Sequence, residues 1–106
     1  MASSKDMLEY ITDQLLGLDE VRWRAMMGEY ILYYQGKIVG GLYDDRLLVK
    51  PTKSALAMMP DAPRETPYKG AKEMLLVDRV DDAVFLRALL EAMAEELPAP
   101  KKRKPI

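Results

Sequence analysis

The 106-residue chain contains no cysteine and no histidine. Those two absences exclude a disulfide scaffold, a thiolate nucleophile, a Cys/His zinc site and a Ser-His-Asp triad built from this chain alone. Long apolar runs are missing as well: no stretch approaches the roughly 18 uninterrupted apolar residues that a membrane helix needs. The start, Met1-Ala2-Ser3-Ser4-Lys5-Asp6, lacks the basic-then-apolar order of a signal peptide. A cytoplasmic protein with no membrane contact is therefore expected. Glycine-rich phosphate loops are lacking too. Gly28, Gly36, Gly40, Gly41 and Gly70 form neither a dinucleotide fingerprint nor a Walker A loop, and Gly36-Lys37 runs into Ile38 where that loop needs Ser or Thr.

What is present is the composition of one globular domain, 49% hydrophobic and 31% charged, a balance that excludes wholesale disorder. The net charge of −1 conceals an asymmetry. Four of the 16 basic residues close the chain at Lys101, Lys102, Arg103 and Lys104, leaving 12 against 17 acidic residues in the body. A body of that sign is a poor polyanion binder, because neutralising phosphates supplies non-specific nucleic-acid affinity. The expected organisation is a folded domain over residues 1–97 and a disordered basic tail over 98–106, set off by Pro98 and Pro100.

Apolar spacing predicts an amphipathic helix over residues 4–18 (Met7, Leu8, Ile11, Leu15, Leu18), with Ser3 or Ser4 as its cap. From Arg22 to Lys50 the period shortens to that of strands. Arg22–Met27 places Trp23 and Ala25 on one side and Arg22 and Arg24 on the other. Tyr30–Tyr34 stops at the turn signal Gln35-Gly36, Lys37–Tyr43 stops at Asp44-Asp45, and Arg46–Lys50 stops at Pro51. Links this short permit only antiparallel neighbours, so the segment reads as a four-stranded meander. Thr52 caps a short helix to Met59, residues 60–72 form an irregular proline-containing loop, and Met74–Val77 is one more strand. Asp81 or Asp82 caps a last helix ending near Leu97, whose buried stripe is Leu86, Leu89, Leu90, Met93 and Leu97. The fold class is thus α+β: a two-layer antiparallel sheet of about five strands with helices on one face, in the order α-β-β-β-β-α-β-α.

Little here can carry chemistry. Asp44-Asp45 lies where a hairpin turn belongs and Asp81-Asp82 where a helix cap belongs, so both acid pairs have structural explanations. No loop resembles a calcium site. Gly40-Gly41 within a strand marks a bulge or a close approach. Neither a catalytic residue, a metal site nor a cofactor is expected. The informative cluster is aromatic: Tyr30, Tyr33, Tyr34 and Tyr43 are four of the six tyrosines, with Arg22, Arg24, Arg46 and Lys50 on the same run of strands. Tyrosine with arginine suits both protein-binding hot spots and single-stranded nucleic-acid platforms.

The string Arg24, Met26-Met27-Gly28-Glu29-Tyr30-Ile31-Leu32-Tyr33-Tyr34-Gln35-Gly36-Lys37, followed by Asp44-Asp45-Arg46-Leu47 and Val49-Lys50, resembles the N-terminal domain of the TfoX/Sxy competence regulators. Arg24, Met26, Gly28, Tyr30, Leu32, Tyr33, Gly36 and Lys37 fall on that family's motif positions. Glu29 and Ile31 replace two motif glycines, and Met27 replaces a phenylalanine. The resemblance implies a small α+β domain with a curved sheet, a bacterial source, a homodimer, and a non-enzymatic role with a transcription regulator as partner. It does not supply the second, helical domain of the full-length regulators. Two function classes stand at this point. One is a protein-interaction module using Arg22, Arg24, Tyr30, Tyr33, Tyr34, Tyr43 and Arg46. The other is a weak nucleic-acid binder using the Arg/Tyr strand face and Lys101, Lys102, Arg103 and Lys104.

Overall fold

Three two-residue turns set the architecture. At Met27-Gly28 (φ 51° and 87°), Gln35-Gly36 (53° and 77°) and Asp44-Asp45 (55° and 58°), both central residues are left-handed. That is the turn type whose twist matches antiparallel strands. The turns join β1 (Val21–Met26), β2 (Glu29–Tyr34), β3 (Lys37–Tyr43) and β4 (Arg46–Val49) into the expected meander. Glycine supplies the second position twice. In the third turn two aspartates do so, being among the few side chains that tolerate this conformation.

The structure is a computed structural model that describes residues 5–97. Before the meander comes α1 (Lys5–Gln14), and after it come α2 (Lys53–Met58), β5 (Arg64–Glu65), β6 (Met74–Leu76) and α3 (Ala83–Glu96). The sheet is antiparallel with strand order β1-β2-β3-β4-β6-β5. The fold is α+β in two layers, with one strand beyond the expected five. Arg64 and Glu65 pair with Leu75 and Met74 inside the segment expected to be irregular. A two-residue strand is too short to show alternation. The first helix is also shorter than the 4–18 periodicity suggests. After Gln14 the chain tightens, with the Leu15 and Leu18 amides donating to Thr12 and Leu15 carbonyls at 3.1 and 3.0 Å. Its expected caps, Ser3 and Ser4, lie outside the described residues.

The other caps are those the sequence suggests. Thr52 Oγ1 accepts from the Ala55 amide at 3.1 Å, and Asp82 Oδ1 accepts from the Phe85 amide at 3.0 Å. The helices and the turn after α1 bury Leu8, Ile11, Leu15, Leu86, Leu89, Leu90 and Met93 against Leu32, Leu42, Leu47, Val49 and Leu75 of the sheet. Each fully buried leucine of this kind contributes about 1.5–3 kcal/mol of transfer free energy. Lys37, at the β2–β3 turn, reaches across and donates from Nζ to the Ala94 carbonyl. A cation there meets the negative end of the α3 dipole.

Between Leu32 and Tyr33 the β2–β3 register shifts: Leu32 opposes Gly40 while Tyr33 opposes Ile38, leaving Val39 as the bulged residue. The adjacent glycines are required by close approach. A Cβ at Gly40 would run into the Leu48 carbonyl. One at Gly41 would lie 2.6 Å from the Tyr30 carbonyl oxygen and 2.8 Å from the Tyr43 ring.

Two outcomes are expected. Gly41→Ala should lower unfolding stability by about 1–3 kcal/mol in urea titrations, since both obstructing groups belong to the sheet itself. Asp82 gives a pH dependence. Its bond from the Phe85 amide, then its bond and ion pair with Arg79, hold the carboxyl below its ordinary value. A lowered folded-state value means the stabilisation is present above the unfolded carboxylate value and disappears as pH falls through the folded one. From about pH 5 downward, through ~3.9, the wild-type urea midpoint should therefore drop more than that of Asp82→Ala.

Candidate interaction surface

Cross-strand register assigns every candidate side chain to a face. On the outer face, away from the helices, stand Arg22 and Arg24 of β1, Ile31 and Tyr33 of β2, Ile38 and Tyr43 of β3, and Arg46 and Leu48 of β4. On the helix side stand Trp23, Ala25, Tyr30, Leu32 and Tyr34. The residues grouped in the sequence by their aromatic and basic character are thus divided. Arg22, Arg24, Tyr33, Tyr43 and Arg46 share one surface, while Tyr30 and Tyr34 point into the other layer. Lys101, Lys102, Arg103 and Lys104 lie outside the described residues.

Tyr34 is 5% exposed and belongs to the core. Its hydroxyl accepts a long 3.4 Å bond from Gln35 Nε2. Burial first, then the carboxylates of Glu91, Asp19 and Glu20, holds its phenol above the usual tyrosine range. Tyr30 is half-buried and packs against the same core. On the outer face the Tyr43 ring lies over Gly41, and its phenol is likewise raised, by burial and then by Tyr68, Glu29 and Tyr33. Arg46 donates from Nε to the Tyr43 carbonyl at 3.2 Å and is ion-paired with Glu65. Arg46 is therefore committed to holding β5 beside the meander.

Part of the outer face is covered. Leu48 stands there opposite Gly41 and Leu76, is fully buried, and is not a member of the helix-side core. Residues 67–74 return across this side, and with Ile38, Tyr43 and Lys50 they bound a groove of about 620 Å³. This segment covers part of the sheet's second face. It does not reach β1. Arg22, Trp23, Arg24, Ala25 and Met26 are all exposed, so the strand is open on both faces, and as the terminal strand it is open along one edge. Trp23 is 50% exposed and Met27, at the hairpin tip, is 98% exposed. The alternation over Arg22–Met27 puts Met27 in the first strand, but that strand ends at Met26 and Met27 takes a left-handed turn conformation beside Gly28. The same alternation places Trp23 on a strand face without a binding role.

Among the described residues no three acidic side chains come close enough to hold a metal ion. Asp44-Asp45 and Asp82 have the turn and cap roles already given. Among those residues no helix is long and apolar enough to cross a membrane.

This arrangement defines a small two-layer α+β domain whose sheet extends past its helices and ends in an uncovered strand. The chain belongs to the TfoX N-terminal domain family, whose model matches residues 13–94 and so takes in β1. It is 38% identical over 105 residues to an uncharacterized 12.7 kDa protein encoded in the trpE 5′ region of Spirochaeta aurantia, an alignment covering 98% of this chain and 91% of that protein. No solved structure matches.

The division of the outer face has a stability signature. Leu48→Ala should cost about 2–5 kcal/mol although the residue faces away from the helices. Arg24→Ala, on the same face but in the open strand, should change stability by no more than about 0.5 kcal/mol. Chemical denaturation of the two variants checks the contrast.

Proposed function

We propose that the chain is a non-enzymatic regulatory module that acts by binding a protein partner through the β1–β2 end of its sheet. The observation that carries this is the exposure of β1: five consecutive residues, including a tryptophan, lie in solvent while the strands beyond β2 are covered on one or both faces. Half-exposed tryptophan with flanking arginines is the composition of binding hot spots. Family membership supports a regulatory role of the competence-regulator kind and makes a bacterial transcription regulator the first partner class to test, in the cytoplasm. The catalytic alternative has little support, because the paired acids are occupied as turn and cap.

Two copies of the chain can also be considered. Antiparallel pairing of two β1 edges keeps like faces together, so the register that opposes Trp23 to Trp23 also opposes Arg22 to Arg24. Like charges directly across a ladder are destabilising. By this edge a foreign protein is favoured over self-pairing. Weak nucleic-acid binding is the second functional class, favoured by Arg22, Arg24 and Tyr33 sharing the outer face and disfavoured by the acidic body.

A photo-crosslinking amino acid placed at Arg24, with a control at Glu91 on α3, tests the surface in cells. A discrete protein adduct from position 24 that is absent from position 91 is the expected result. Identical adduct patterns at both positions would remove the proposal. Titration with labelled oligonucleotides separates the classes. Binding that survives deletion of residues 98–106 but is lost in Arg22→Ala/Arg24→Ala would put nucleic acid in place of protein.

A further inference from the structure

In the β1–β2 ladder, the amide of Gln35 donates to the carbonyl of Glu20 at 3.1 Å, and Met26 and Glu29 flank a two-residue turn. Both observations fix the same alternation. Glu20, Arg22, Arg24 and Met26 turn their backbone groups toward β2, whereas Val21, Trp23 and Ala25 turn N–H and C=O outward, away from the sheet. The outward edge therefore offers three residues' worth of backbone donors and acceptors in strand geometry. Edge strands of this length and apolarity are normally protected, often by charge. Here the protection has one sign. Arg22 and Arg24 form no ion pair among the described residues, and both stand on the outer face beside the free edge, while the inner face of the same strand presents Val21, Trp23 and Ala25.

We propose that β1 accepts, as an added strand, an extended segment of a partner protein in which acidic residues alternate with apolar ones. Acidic side chains of that segment would face Arg22 and Arg24 across the new ladder, and its apolar side chains would cover Trp23 and Ala25. Backbone pairing supplies affinity and the alternate side chains supply selectivity. Charge disfavours two other occupants. A second copy opposes arginine to arginine in the register centred on Trp23, which pairs the most outward residues, and the chain's own basic tail, Lys101–Lys104, has the same sign as the edge. The proposal rests on the binding role assigned to this end of the sheet and adds the chemistry of the partner.

The probe is a short blocked peptide alternating valine with glutamate, compared with one alternating valine with lysine, titrated against the full chain at low salt. Trp23, the sole tryptophan, reports coverage by a blue shift in emission. Binding of the glutamate peptide about tenfold tighter than the lysine peptide is expected, from two cross-strand pairs that are attractive in one case and repulsive in the other. Arg22→Glu/Arg24→Glu should reverse the preference. Ala25→Pro deletes an outward N–H without touching the β1–β2 ladder, and should weaken glutamate-peptide binding. Methylating the peptide's alternate amides should do the same with the protein unaltered. Equal affinity for the two peptides, or insensitivity to both amide changes, overturns strand addition even where crosslinks at position 24 persist, so the two proposals fail separately. A dimer in sedimentation equilibrium that Ala25→Pro dissolves would assign the edge to a second copy and overturn it too.

Discussion

The meander depends on how little chain separates its strands. Two residues cannot carry a strand anywhere except back alongside its predecessor. Strands one to four are therefore laid down in chain order, and the first of them must be outermost unless something later adds to it. The later strand β6 adds beside β4 instead, and β5 beside β6. The helices fill in over the middle, with α3 on the inner face of β3 and α1 against α3. Nothing in the described chain is left for β1. Its exposure follows from the turns, and the binding role inferred for it follows from that exposure.

Within this frame, side-chain alternation does the sorting. Tyr33 and Tyr34 are chemically identical neighbours with opposite fates: one shares a solvent face with arginines, and the other is a core residue whose phenol is held above the usual tyrosine range by burial and by nearby carboxylates. Aromatic density along a sequence cannot separate such a pair. Only knowing which parity faces the helices can, and β1, exposed on both sides, gives no hint of it. The same ambiguity affects Tyr30, half-buried on the helix side.

Much of the fold was nonetheless legible. Asp44-Asp45 and Gln35-Gly36 identified hairpin turns, and Thr52 and the pair Asp81-Asp82 identified helix starts. Gly40-Gly41 marked a bulge or a close approach, where the structure has the close approach at both glycines and the bulge next to them at Val39. Two features were beyond single-sequence reading for different reasons. Strand β5 has too few residues to show a period and is recognised only through its pairing with β6. The cover over Leu48 was hinted at by Leu47-Leu48-Val49, an unbroken apolar run of the kind found where both faces of a strand are buried. The covering segment itself, residues 67–74, carries no apolar period that says where it goes. The surface was legible as a composition, tyrosine with arginine, but not as a location, because location needs the register.

The packing of α1 against α3 joins the two ends of the chain. A polypeptide emerging from the ribosome would hold every hairpin of the sheet before it held the fourteen residues that form the main lid over them. Those residues bring Leu86, Leu89, Leu90 and Met93, so the hydrophobic interior closes only after α3 has emerged. Until then α1 lacks the helix it packs against, and the inner face of the half-built sheet that α3 will cover stays bare.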